Sequence, residues 1–340
     1  MSRFPRLTLP RLSEDLRIEL GIVYAAGVLP FLGSLFRDAV VLSQAPLAAS
    51  DLFFRFFYLC NLAAMVQGEL IWTKYNSEGR AKVSIPVSEL VFLLTITAAA
   101  GSAVYFLAGR PDPLWALIPF LSVLVAYPIG ILNGWKRYLA SKVVSAGPSV
   151  LMAVLILAGT GHLAGAYGLG LVLTLAGALA ILAAGFGFRI VRARSNFRSI
   201  VHSILLTSIP FALFYLGNYL LLALSGPKSP LVMWGNRISN YIFTFFLLAT
   251  PVFLNRIKGR TIPVSRFAGP IRAAAAIAFL VLAGAALLRP AAPEWALILL
   301  NLDITIVSAL AHYLVKIFVV RRLRDRPTFL QEGRPPAVLS

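Results

Sequence analysis

Residues 201–256 read VHSILLTSIPFALFYLGNYLLLALSGPKSPLVMWGNRISNYIFTFFLLATPVFLNR. Two apolar runs, 201–224 and 231–254, are separated only by the short link Ser225–Pro230. Each is long enough, as a helix, to cross about 30 Å of hydrocarbon. The pattern repeats on both sides of this stretch. Of 340 residues, 59% are hydrophobic and 13% are charged, with a mean hydropathy of +0.83. A soluble domain cannot hide that much apolar surface, because burial grows slowly with chain length. Lipid is the alternative solvent.

The runs predict an all-α polytopic membrane protein with ten spans, at about 20–43, 52–73, 89–108, 114–135, 147–164, 168–188, 201–224, 231–254, 273–288 and 294–318. The first 19 residues are polar and basic, so no cleavable signal peptide is expected. Links after the odd-numbered spans are short and nearly uncharged, whereas those after the even-numbered spans are basic. The two tails and the even links hold 24 of the 31 Lys and Arg residues, and the odd links hold only Arg110, Lys228 and Arg289. The positive-inside rule then places both termini in the cytoplasm of a bacterial inner membrane. All five tryptophans (Trp72, Trp115, Trp135, Trp234, Trp295) fall at span ends, where amphipathic rings sit at headgroup level. The net charge of +18 follows the links and forms no single basic face, so it reads as contact with membrane lipids and not with nucleic acid.

The chain also matches itself. Pro30-Phe31 recurs as Pro210-Phe211, Gly79-Arg80 as Gly259-Arg260, and Ile85–Ser88 as Ile262–Ser265. Arg110-Pro111 recurs as Arg289-Pro290, and Trp115–Ile118 as Trp295–Ile298. The common offset is near 180 residues, or six spans, which sets both copies in one orientation about an axis along the membrane normal. Two pseudo-symmetric lobes follow as an expectation: residues 1–190 with spans 1–6, and residues 191–340 with spans 7–10 and a basic tail. Facing lobes are a transporter layout, with the substrate bound between them.

The segment AYPIGILNGWKRYLASKVVSAGPSVLMAVL (126–155) resembles the fourth span, basic turn and fifth span of the multidrug/oligosaccharidyl-lipid/polysaccharide exporter superfamily. The opening stretch resembles its seventh and eighth spans. The likeness runs over about 20–320 and is strongest to the polysaccharide and lipid II flippase branches. It implies alternating access and a lipid-linked saccharide whose diphosphate sits in a cationic central cavity. The family has twelve to fourteen spans, so a homo-oligomer or partner subunit is expected to cover the C-terminal lobe.

Charges inside hydrocarbon are expensive and mark candidate sites. They are Arg37 and Asp38 in span 1, Arg55 with Asn61 in span 2, Asn218 in span 7, and Asn236, Arg237 and Asn240 in span 8. The repeat pairs Asn218 with Asp38 and nearly pairs Arg237 with Arg55, gathering three arginines around one axis. Guanidinium forks in an apolar cavity suit phosphate oxygens, and the amides suit sugars. The bland alternative pairs Arg37 with Asp38 and lets Arg55 and Arg237 snorkel to headgroups. Asp303 and His312, nine residues apart in span 10, fall on opposite faces and are expected to make hydrogen bonds between spans. The run Gly161–Gly170 is expected to pack closely.

Three histidines and one cysteine, Cys60, assemble no metal site and no nucleophile–base set, so neither an enzyme nor a cofactor is expected. Two rivals to a flippase remain. One is a cation-coupled small-molecule exporter, which needs an embedded carboxylate. The other is a non-transporting subunit of a polysaccharide synthesis complex.

Overall fold

The computed structural model describes residues 14–78, 82–86, 113–185, 187–191, 197–224, 230–250 and 294–325, together with Val252 and scattered positions between 91 and 106. Eight helices are drawn from these residues. They are α1 (Glu14–Gln44), α2 (Leu47–Glu78), α3 (Leu114–Gly134), α4 (Tyr138–Leu157), α5 (Leu163–Gly185), α6 (Phe197–Leu224), α7 (Pro230–Leu248) and α8 (Glu294–Asp325). They match the first, second, fourth to eighth and tenth expected spans. The ninth span lies outside the described residues, as does most of the third. Five helices are long and apolar enough to cross a membrane: α1, α3, α4, α5 and α8. The chain is a multi-pass α-helical membrane protein.

Two features of the described residues were not expected from the sequence. Lys82–Pro86 (β1) and Gly187–Val191 (β2) pair as parallel strands, with Lys82 opposite Gly187 and Pro86 opposite Val191. They join the link after the second span to the link after the sixth. The fifth span is also displaced, running Tyr138–Leu157 where 147–164 is expected. Lys136 takes a left-handed backbone (φ 59°) immediately before the helix, and Gly159 (φ 96°) closes its far end. The two turns fix the helix between them, and the charge of Lys142 does not interrupt it. A left-handed conformation suits the C-terminal turn of a helix, and glycine adopts it without a Cβ penalty.

Helix α1 packs on α4, α2 on α3, and α5 on both α3 and α4, while α8 packs on α6 and α7. Among the described residues the first five helices meet the last three chiefly where α2 packs on α6 and α1 on α7. Small residues permit the closest approaches. A Cβ on Gly147 would fall 2.6 Å from Thr174 Oγ1, and one on Gly27 would fall 2.3 Å from Leu248 Cδ1. Among the glycines of the run Gly161–Gly170, only on Gly170 would a Cβ meet another helix, 3.0 Å from Pro148 O, whereas Gly161 and Gly168 face open space. The core is strongly aromatic where α2 meets α6: Phe53, Phe54, Tyr58, Phe211, Phe214 and Tyr215 are all buried.

Candidate functional site

Helix α2 presents Phe53, Phe54, Phe57 and Tyr58 at i, i+1, i+4 and i+5, which places four rings on one face. That face covers a charged cluster built from α1 and α7. Arg37 and Asp38 are neighbours on α1, and Arg237 and Tyr241 lie one turn apart on α7. Asp38 Oδ1 accepts a hydrogen bond from Arg37 Nε at 2.8 Å. Its Oδ2 accepts from Arg237 Nε at 2.6 Å and from the Tyr241 hydroxyl at 2.5 Å. Arg37 Nη1 donates to Ser149 Oγ of α4 at 3.0 Å. The three charged side chains are 0–1% exposed.

Two guanidinium groups therefore share one carboxylate. The local balance is one positive charge in excess, inside a dry site where an unpaired charge is costly. Ring faces make up part of the deficit. The Arg37 guanidinium lies 4.2 Å from the Phe57 centroid, and that of Arg237 lies 5.0 Å from both Phe54 and Phe57. Such cation–π contacts reach about 2 kcal/mol when desolvated. The Nη1 and Nη2 atoms of Arg237 find no hydrogen-bond acceptor among the described residues. Both terminal nitrogens of its planar fork thus lie against aromatic rings, where an oxyanion would bind more strongly.

A second, uncharged cluster adjoins the first through Tyr58. The Tyr58 hydroxyl donates to Asn236 Oδ1 and lies 3.1 Å from Asn236 O. Asn236 Nδ2 donates to Asn218 Oδ1 of α6 at 2.9 Å and to Asn301 Oδ1 of α8 at 3.0 Å. Asn218 Nδ2 in turn donates to Phe214 O at 2.7 Å. Each amide is placed by its neighbours, which is how a buried polar network fixes one geometry. Asn240, one turn beyond Asn236, is buried, and its Oδ1 has no partner among the described residues.

Of the eight residues singled out from the sequence, Arg37, Asp38 and Arg237 meet in the charged cluster, and Asn218 and Asn236 in the uncharged one. Asn240 lies beside both. The remaining two stand apart. Arg55 pairs with Asp51 at 2.7 Å across one helical turn and is 32% exposed, and it does not join the other two arginines at Asp38. Asn61 is half-buried on α2 and shares no hydrogen bond with either cluster among the described residues. Among the described residues, aromatic rings and ion pairs fill the space around Arg37, Asp38 and Arg237. Asn301, Tyr58, Tyr241 and Ser149 were not foreseen. Tyr241 is the one with a sequence signal, standing four residues after Arg237 on the same helix face. His312 lies 3.2 Å from Thr250 Oγ1 of the eighth expected span, a link between spans of the kind expected for it.

No family model and no curated protein matches the chain. Among solved structures it is similar to a MOP superfamily transporter from Pyrococcus furiosus, for which a binding pocket of reverse polarity is described as suggesting a different function. The TM-score is 0.51 and the identity 16%, over 91% of this chain and 84% of that one. The helices that bring Asp38 to Arg237 are therefore arranged in a fold similar to that of this solved structure.

Proposed function

We propose that the chain is a flippase-type transporter that carries an isoprenoid-pyrophosphate-linked saccharide across a bacterial inner membrane. It works as two lobes, residues 1–190 and 191–340, with both termini cytoplasmic. The contact pattern supports the two lobes. The self-match equates α1 with α6 and α2 with α7, and under that exchange the α2–α6 contact becomes the α7–α1 contact. A two-fold relation requires this reciprocity.

The observation that carries the function is the surplus guanidinium at the α1–α7 contact. With the lobes together, Asp38 holds Arg237. When they part, Asp38 remains beside Arg37 on its own helix, and Arg237 presents its fork to the widening space. Diphosphate oxygens fit that fork in pairs, which a point charge cannot reproduce. Asn240, with an amide oxygen still to be satisfied, lies one turn away to receive a saccharide hydroxyl. The substrate and Asp38 then compete for one cation, and this competition couples binding to lobe position.

A cation-coupled exporter is less well supported, since the buried carboxylate Asp38 lies between two guanidinium groups that repel a bare cation. The test is complementation of a deletion strain. Arg37→Ala and Arg237→Ala abolish saccharide export at normal expression, and the Lys variants restore it only in part. Normal export by both Ala variants refutes the proposal and favours a non-transporting subunit.

A further inference from the structure

Helix α8 has two unlike faces. Asn301, Thr305, Ser308 and His312 recur at helical spacing and are buried. On that side Asn301 meets Asn236, Thr305 meets Ser239 O and His312 meets Thr250. The opposite face carries Trp295, Leu299, Asp303, Ile306 and Leu310. Trp295 is 64% exposed, Leu299 51% and Ile306 46%, and Asp303 stands half-buried among them. The internal repeat supplies a comparison. The matching positions 180 residues earlier, Trp115, Pro119, Val123 and Ala126, are all buried, in a helix packed on α2, α4 and α5. One face of a repeated helix is thus covered in the first half of the chain and uncovered in the second.

Asp303 decides what chemistry the cover must bring. It lies nine residues from Glu294 and twelve from Val315, near the middle of a segment long and apolar enough to cross a membrane. At about 1.5 Å per residue it is about 14 Å from the start of α8, and its one methylene cannot lift the carboxyl to the headgroups. Lipid tails offer it no hydrogen bond, and phosphate headgroups are both distant and of like charge. No described residue pairs with it. The ninth expected span, 273–288, reads AAAAIAFLVLAGAALL and has no polar side chain to give. A second copy docked by two-fold symmetry on this face sets carboxylate against carboxylate. The complement that remains is a cation at the same depth on a different helix, since an embedded charge is expensive until it is paired.

We infer that the exposed face of α8 is a docking site for a partner's membrane-spanning helix that presents an arginine or lysine to Asp303. Leu299 and Ile306, one turn to either side, pack on that helix and keep the ion pair dry. The inference concerns assembly and does not rest on the flippase reading.

The experiment uses the full chain in liposomes with Ile306→Cys, which puts an exposed thiol one turn from Asp303, while Cys60 is buried. The probes are two synthetic leucine–alanine membrane helices, each with a cysteine one turn from its centre. One has arginine at the centre and the other leucine. Disulfide trapping, read on a gel, captures the arginine probe roughly tenfold more than the leucine probe. Asp303→Asn lowers capture of the arginine probe to the leucine level. Asp303→Lys reverses the preference, capturing a glutamate-centred probe and rejecting the arginine one. Each variant is first matched to the wild type by gel filtration, so loss of capture is not loss of fold. Equal capture of all probes, or no capture, overturns the inference and leaves the face to lipid. Chain-to-chain disulfides at position 306 without any probe overturn it in favour of a second copy. None of these changes touches Arg37 or Arg237, so the flippase reading stands or falls on its own complementation test.

Discussion

Asp38→Asn removes one negative charge and almost no volume, so its effect isolates electrostatics from packing. The carboxylate accepts from Arg37 at 2.8 Å, from Arg237 at 2.6 Å and from Tyr241 at 2.5 Å, with all three charged groups shielded from solvent. Removing one partner of a buried ion pair costs about 3–5 kcal/mol, because the other charge is left uncompensated. Here one carboxylate serves two cations, so the cost falls at the upper end and two like charges then face each other. Arg237→Gln leaves Arg37 and Asp38 as a balanced pair and should cost less, about 1–3 kcal/mol for the hydrogen bond and desolvated partner it disrupts. Asp38→Asn combined with Arg237→Gln should recover part of the loss, since one of the two opposed charges is gone. The measurement is thermal unfolding of the detergent-purified chain, with a fall on the order of 10 °C expected for Asp38→Asn. If Asp38→Asn unfolds with the wild type, or if Arg237→Gln is the more damaging change, then Asp38 does not balance two cations.

Three further outcomes follow from packing and exposure. Gly147→Ala should lower the melting temperature, at a cost of about 1–3 kcal/mol, because its Cβ meets the stiff Thr174 side chain; Thr174→Ala should relieve part of that cost. Phe214→Ala should cost about 3–5 kcal/mol in the same assay, since the ring is fully buried and stacks on Phe243 at a centroid distance of 3.9 Å. Arg55→Ala should change stability by less than about 1 kcal/mol and leave export intact, because its pair with Asp51 is partly solvent-exposed and is not one of the ion pairs of the cluster.

Hydropathy located every described helix, because solvation by lipid is a property of composition and needs no knowledge of neighbours. It misplaced α4 because a sliding average counts Arg137 and Lys142 against a span, whereas the helix ends are set by the backbone turns at Lys136 and Gly159. Arg37, Asp38 and Arg237 were legible because charge in an apolar run is rare enough to stand out. That they share one carboxylate was not legible, since it depends on how α1 crosses α7. The local pair of Arg55 was overlooked, although Asp51 stands four residues before it and such a helical pairing was visible in the sequence. Asn301 carries no charge and looks like any other polar residue of a long apolar helix until Asn236 is placed opposite it.

The strand pair has a consequence for synthesis. Lys82 and Gly187 are opposite each other although 105 residues separate them. At about 5–20 residues per second, β1 waits roughly 5–20 seconds for its partner to be made. During that interval its backbone donors and acceptors have no partner strand, and such an edge is open to pairing with any extended chain nearby. Three helices, α3 to α5, are made in the same interval. Closure of the ribbon therefore requires that the first five described helices have already been made.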